Sequence, residues 1–89
     1  MKTIADIKRA FTVGSKWHTI NHIINKDFGI REISIVQSNQ IALKTEHNGV
    51  ITDSWLSFPK KTNTVFNSDT SFTIMSDDGR KVLTYTKAE

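Results

Sequence analysis

Two histidines, His18 and His22, have the spacing that would place two imidazoles on one face of a helix, as a zinc site requires. In a strand, the same spacing separates them by about 13 Å at roughly 3.3 Å per residue, and one ion does not bridge that distance. No third ligand stands nearby in the sequence, and no glutamate lies between the two histidines. We therefore expect polar surface histidines and no metal site.

Nucleophilic catalysis finds no support in the sequence. None of the eight serines lies in a G-x-S-x-G pattern, and the chain has no cysteine. The segment "SDDGR", residues 76–80, lacks both the glycine-rich cradle of a phosphate loop and the ligand set of a calcium loop. A chain of 89 residues has little room for an enclosed pocket. We expect no enzyme activity, no cofactor and no small-molecule substrate.

Surface recognition is the remaining chemistry, and the segment "DSWLSFPKKTN", residues 53–63, contains the densest set of residues for it. Aromatic side chains with Lys or Arg suit nucleic acid, because bases stack and phosphates attract cations. Trp and Arg also form hot spots in protein interfaces, which need neither a pocket nor a strong charge. We favour a protein partner and keep nucleic acid as the alternative. The predicted partner-binding residues are Trp55, Lys60, Lys61, Trp17, Lys16 and Arg31.

The net charge of +3 is unevenly distributed. Residues 1–31 carry six bases and two acids, a net charge of +4, whereas residues 32–61 are neutral and residues 62–89 have a net charge of −1. The start of the chain, "MKTIADIKRA", lacks the apolar core of a signal peptide, and no apolar run is long enough to span a bilayer. Together with the absence of cysteine, these features predict a cytoplasmic protein of one domain, residues 1–89, without membrane contact.

A short helix is predicted at the N-terminus. Thr3 is a suitable N-cap, and Ile4, Ile7 and Phe11 form one apolar stripe at helical spacing. A helix of about two and a half turns is not stable alone, so the stripe must pack on an apolar surface. Gly14 is placed to end the helix.

The segment "SKWHTINHIINKDFG", residues 15–29, is ambiguous. Trp17, Ile20 and Ile24 fit a helical stripe, whereas the β-branched and aromatic content favours a strand. We favour a strand and expect the chain to turn at Gly29.

From Arg31 onward the pattern indicates short antiparallel strands. They are "REISIV", "IALKT", "VITDSWLSF", "TSFTIM" and "RKVLTYT", with turns at "QSNQ", at Asn48–Gly49 and at "SDDG". Pro59 ends the third of these strands. The segment "KKTNTVFNSD" is interpreted as a loop with a brief extended piece at residues 64–66.

The predicted fold is mostly β (α+β), with a short N-terminal helix packed on a five- to six-stranded antiparallel sheet or small, partly open barrel. The expected core consists of Ile4, Ile7, Phe11, Ile20, Ile33, Ile35, Ile41, Leu43, Leu56, Phe58, Phe72, Ile74, Leu83 and Tyr85. Period 2 places Leu56 and Phe58 on one face and Trp55 on the other. We favour a Trp55 covered by the helix; the alternative is an exposed contact residue beside Lys60 and Lys61.

The segments "REISIVQSN", "SWLSFPKKTN" and "SFTIM…GRKVLTYT" resemble small bacteriophage and prophage proteins of unassigned function. That resemblance implies a small module that binds and occludes a host or phage component, as anti-CRISPR and anti-restriction proteins do. Many such inhibitors are acidic DNA mimics, whereas this chain is basic, so steric blocking of a protein surface fits it better. The functional hypothesis is a phage-type, anti-CRISPR-like inhibitor; the alternative is a basic β-barrel that binds nucleic acid.

Overall fold

A single antiparallel sheet of seven strands with one short helix makes up the fold, as seen in a computed structural model that describes residues 1–88. The elements are α1 (Ile4–Ala10), β1 (Lys16–Asn21), β2 (Lys26–Val36), β3 (Gln40–His47), β4 (Val50–Ser57), a 3-10 turn (Lys61–Asn63), β5 (Thr64–Ser68), β6 (Ser71–Met75) and β7 (Lys81–Ala88). The strand order is β4-β3-β2-β1-β7-β6-β5, so β4 and β5 are the two edges. The mostly-β α+β class is confirmed.

Helix α1 begins as the sequence predicts. Thr3 adopts an extended backbone and accepts a hydrogen bond from the Asp6 backbone N–H, while the Asp6 carboxylate accepts from the backbone N–H groups of Lys2 and Thr3. These bonds satisfy donors that have no partner within the helix. They lower the pKa of Asp6 to about 2, with the Lys2 N–H as the largest cause and the Arg9 guanidinium as a further one. The helix ends at Ala10, and Gly14 lies in the turn that follows it.

The ambiguous segment forms a strand, as favoured, but the predicted turn position is wrong. Strand β1 is followed by a turn over residues 22–25, where the Asn21 side chain accepts hydrogen bonds from the Ile23 and Ile24 backbone N–H groups. Asn25 closes this turn at a φ of 51°, a left-handed conformation that Asn tolerates. Gly29 instead lies within β2, opposite Thr19 and next to a register shift.

Seven strands are present where the sequence predicts five or six. The additional edge strand is β5, which lies in the segment interpreted mainly as a loop and extends two residues beyond the predicted 64–66 piece. It pairs with β6, but its last residues are polar, so the alternation of apolar and polar residues that indicates a strand is weak in this part of the sequence. The predicted turns at "QSNQ", Asn48–Gly49 and "SDDG" are all present.

The core lies between α1 and one face of the sheet, here called the helix-covered face. Phe11 follows the helix directly and contacts four other rings, with centroid distances of 4.5 Å to Trp17, 5.7 Å to Phe72, 5.9 Å to Tyr85 and 6.1 Å to Phe58. Since these rings come from β1, β6, β7 and the segment after β4, Phe11 joins distant parts of the sheet. The fully buried apolar cluster is Ile7, Phe11, Trp17, Ile33, Ile41, Leu43, Phe72 and Tyr85.

The opposite face, here called the uncovered face, has no helix over it. Ile20 and Ile35, both expected in the core, are half-buried there and are not among the residues packed against the core cluster. On β4, Asp53 and Trp55 point to this face because each is out of phase with Leu56, which packs against the core. The uncovered face is therefore a surface available for contacts within residues 1–88.

The central position of Phe11 gives the first prediction. Phe11→Ala should lower the free energy of unfolding by about 3–5 kcal/mol, because it removes a fully buried ring and leaves a cavity against four aromatic neighbours. Chemical denaturation followed by circular dichroism measures the change.

A matched control is Trp55→Ala, which also removes an aromatic ring but from a side chain that is 50% exposed. It should cost about 1 kcal/mol or less. Equal losses for the two variants would contradict the assignment of Phe11 to the core and Trp55 to the surface.

Candidate interaction surface

Trp17, one of the predicted partner-binding residues, lies in the core. It is 0% exposed, and its indole N–H donates to the Ser15 hydroxyl at 3.1 Å. The prediction of Trp17 as a contact residue is wrong because β1 is a central strand and Trp17 points to the helix-covered face. Alternation alone could not indicate which face of β1 the helix would cover.

Trp55 lies on the surface. The favoured prediction, that the helix covers it, is wrong, and the alternative of an exposed Trp55 is correct. The helix packs on the face that carries Leu56, so Trp55 stands on the uncovered face opposite Ala42 of β3. Its neighbour along that face of β4 is Asp53, whose carboxylate accepts a hydrogen bond from the Ser34 hydroxyl at 2.8 Å.

Lys60 and Lys61 are exposed, as predicted, in the segment that leads from β4 to β5. Within the described residues, neither forms a salt bridge. Phe58, two residues before Lys60, points inward and packs against the core. The Lys8 ammonium group lies over its ring, 5.2 Å from the centroid. The Phe58 ring therefore faces a cation of the helix, and Lys60 and Lys61 follow Phe58 in the same segment.

Arg31 is half-buried and engaged within the protein. Its guanidinium lies 4.8 Å from the centroid of Phe28 and donates to the Thr45 hydroxyl at 2.9 Å, which links β2 to β3. Its Nε is buried and has no hydrogen-bond partner within residues 1–88. Burial is the main cause that lowers the pKa of Arg31, while the nearby Tyr85 acts in the opposite direction. Arg31 thus holds two strands together and presents little free charge.

Lys16 is exposed at the end of β1, where its Cα pairs with that of Glu32. Glu32 accepts a hydrogen bond from the Lys44 ammonium group at 2.9 Å. Lys44 is the main cause that lowers the pKa of Glu32, and Lys16 contributes a smaller effect. Lys16 therefore belongs to a mixed-charge cluster on the uncovered face.

A groove opens where β2 and β3 separate. Their pairing includes only Ile33 with Leu43, Ile35 with Ala42 and Val36 with Ile41, so residues 26–32 of β2 pair with β1 alone. The groove has a volume of about 410 Å³ and is lined by Lys26, Asp27, Phe28, Ile30, Arg31, Glu32, Lys44, Thr45, Glu46 and Ile51.

Three exposed apolar side chains lie along this side of the uncovered face: Ile30 at 63%, Ile51 at 65% and Trp55 at 50%. We call them the Ile30–Ile51–Trp55 surface. Of these three side chains, only Trp55 was predicted from the sequence. Ile51 is four residues before Trp55 on the same strand, so the period of two places both on one face, whereas Ile30 required knowledge of the β1–β2 register.

The other half of the uncovered face is polar. His22 lies 2.7 Å from the Thr84 hydroxyl, Thr84 lies 2.9 Å from Thr73, and the Asn67 amide donates to Thr73 at 2.9 Å. His18 instead lies 2.7 Å from the Asp27 carboxylate. His18 and His22 thus have separate partners, on β2 and β7, and the described residues contain no group of three or more potential metal-binding side chains.

No protein-family model matches the chain, and neither a curated protein nor a solved structure is significantly similar to it. Among residues 1–88, no helix has the length and apolar character needed to cross a membrane. Functional interpretation therefore depends on the surfaces described above.

Tyr85 gives a prediction for alkaline pH. Burial raises the pKa of its phenol to about 12, against a smaller opposing effect of Arg31. The phenol must remain protonated in the native state over a range where the unfolded chain, with a tyrosine pKa of about 10, already ionises. The stability that Tyr85 contributes is therefore complete below pH 10 and is lost as the pH rises from about 10 through 12.

Absorbance at the tyrosinate band measures this directly, because Tyr85 is the only tyrosine in the chain. The native protein should titrate near pH 12, and the protein in denaturant should titrate about two units lower. A native midpoint near 10 would show that the phenol is accessible to water and would contradict its burial.

Proposed function

We propose that this protein is a non-enzymatic binding protein that docks on and occludes a protein partner. The observation that carries the proposal is the Ile30–Ile51–Trp55 surface, in which three large apolar side chains on neighbouring parts of one sheet face are each at least half exposed. Several large exposed apolar side chains on one face, with charged residues such as Asp53 and Glu46 between them, are a composition found in interaction sites.

The surroundings of Trp55 favour a protein partner over nucleic acid. The nearest charged residue along its strand face is Asp53, and the groove that Ile51 lines has as many acids as bases, three of each. Phosphate would find no net positive charge here, because Asp53 is opposed by Lys44 on β3 and the charges of the groove balance, whereas an apolar surface with a mixed-charge rim is the usual composition of a protein interface.

As a concrete form of this function, we propose a phage-type inhibitor of a bacterial defence or nucleic-acid-handling protein, comparable in mode to an anti-CRISPR protein. The resemblance of the three sequence segments to phage accessory proteins motivates this proposal. Steric blocking suits the chain because the formal charge of +3 does not suit DNA mimicry.

The test is capture of a partner from a bacterial host lysate by immobilised wild-type protein and by variants of the surface. Ile51→Ser and Trp55→Ala should each weaken capture about 30-fold, the effect of losing a hot-spot residue. Both side chains are exposed, so both variants should fold with nearly unchanged stability.

Matched controls come from exposed apolar residues elsewhere. Val13→Ser changes a side chain that is 66% exposed in the turn before β1, and Val65→Ser changes one that is 47% exposed on β5. Both should capture the partner as the wild type does. Equal loss in all four variants, or no loss in any, would overturn the proposal.

Nucleic-acid binding is the second candidate function, favoured by the exposed Lys60 and Lys61 and by Lys8 over Phe58. If this function is correct, oligonucleotide affinity should fall steeply with salt, and Lys60→Ala/Lys61→Ala should reduce the slope of log affinity against log salt by about 1–2. Fluorescence anisotropy with single- and double-stranded oligonucleotides measures both quantities. An absence of binding at about 50 mM salt would exclude this candidate.

A further inference from the structure

The two edges of the sheet are built differently. Strand β5 has five residues, and its pairing with β6 shifts register between Phe66 and Ser68. Strand β4 has eight residues, pairs with β3 without any shift, and contains neither proline nor lysine. Proteins protect sheet edges with short strands, bulges, proline and lysine, because an unpaired edge invites another strand. By these criteria β5 is protected by its shortness and its register shift, whereas β4 has only the charge of Asp53 and is the more open edge.

The turn at Asn48–Gly49 determines which backbone groups β4 presents. In this two-residue hairpin, with both turn residues at positive φ, His47 and Val50 form the hydrogen-bonded pair next to the turn. Because such pairs alternate, the even-numbered residues of β4 bond to β3, and Phe58 continues the series by donating to the Asn39 carbonyl at 3.1 Å. The backbone N–H and C=O groups that point away from the sheet belong to Ile51, Asp53, Trp55 and Ser57.

The residues whose backbone groups point outward also have their side chains on the uncovered face. Ile51, Asp53 and Trp55 alternate along β4, so their side chains stand in one row on that face, apolar, acidic and apolar. A strand added to this edge would therefore gain main-chain hydrogen bonds at the same residues whose side chains it contacts.

We propose that β4 is the docking edge for an extended segment of the protein partner, which adds to the sheet as an eighth strand. This inference rests on the proposed function and specifies how the partner binds. Directly opposed residues in a sheet share a face, so the chemistry of the occupant follows from the row on β4. The segment has a Lys or Arg opposite Asp53 and apolar residues two positions before and after it.

A second copy of this protein fits the edge less well. Strand β4 contains no Lys or Arg, so β4 of a second copy gives Asp53 no cationic partner in any register. When two β4 strands are centred on Asp53, the two carboxylates face each other. The partner strand is therefore expected to come from a different protein.

The experiment uses the capped heptapeptide Thr-Ile-Thr-Lys-Thr-Val-Thr and amide hydrogen exchange of the full-length protein followed by NMR. In the free protein, the amides of Thr52, Ser54 and Leu56 should exchange slowly, and those of Ile51, Asp53 and Trp55 should exchange rapidly. Addition of about 1 mM peptide should slow the exchange of the second group by about tenfold and leave the first group unchanged.

A charge exchange tests the predicted register. Asp53→Lys should weaken binding of the Lys peptide about fivefold, and replacing the peptide lysine by Glu should restore binding to this variant. Because Asp53 also accepts the Ser34 hydrogen bond, the control is Ser34→Ala, which removes that bond and keeps the carboxylate. This control should bind the Lys peptide as the wild type does.

The outcomes separate the two proposals. Peptide binding without protection of the Ile51, Asp53 and Trp55 amides, or no binding at about 1 mM, overturns strand addition and leaves the partner-capture result unaffected. Protection of these amides in the free protein that increases with protein concentration also overturns it, because the edge is then occupied by a second copy. Failure of the Ile51 and Trp55 variants to alter partner capture overturns the proposed function whatever the peptide does.

Discussion

The contact of Phe11 with the rings of Trp17, Phe58, Phe72 and Tyr85 is the interaction on which the rest of the structure depends. The helix is seven residues long and has too few turns to be stable alone, so its position depends on Ile7 and Phe11 inserting into the sheet. Phe58, which follows the last residue of β4, contacts the Phe11 ring, and so does Phe72 of β6. Ile7 and Phe11 therefore hold the helix on this face, and the Phe11 ring links β1, β6 and β7 to the segment after β4.

Covering one face has a direct consequence for the other. With one helix and 89 residues, the chain can bury only one side of a seven-stranded sheet. On the uncovered face, Thr73 of β6 and Thr84 of β7 form side-chain hydrogen bonds, whereas Ile51 and Trp55 of β4 are exposed apolar side chains. One part of the face is thus a network of hydrogen-bonded threonines, in which Thr73 is buried, and the other part has exposed apolar side chains.

Much of the fold could be predicted from the sequence because local signals agreed with the tertiary structure. The Thr3 capping box, the Asn48–Gly49 turn and the period-2 pattern of β3 and β6 each specify local geometry that packing does not override. Burial of individual side chains was less predictable. Trp17 and Trp55 both lie in strands beside Lys or Ser residues, and only the choice of the face that the helix covers places one in the core and the other on the surface. The predicted turn at Gly29 is wrong because a glycine can mark a bulge within a strand as well as a turn.

The strand order also constrains how the chain assembles. Strands β1 to β4 are successive hairpin neighbours, and so are β5 to β7, but the two groups are joined within the sheet only by the pairing of β1 with β7. That pairing matches Lys16 with Ala88 and Asn21 with Leu83, so its residues are more than 60 positions apart in sequence. Such a contact closes a large loop and forms slowly compared with a hairpin. Completion of the continuous sheet therefore waits for the last strand, which must pair with the first.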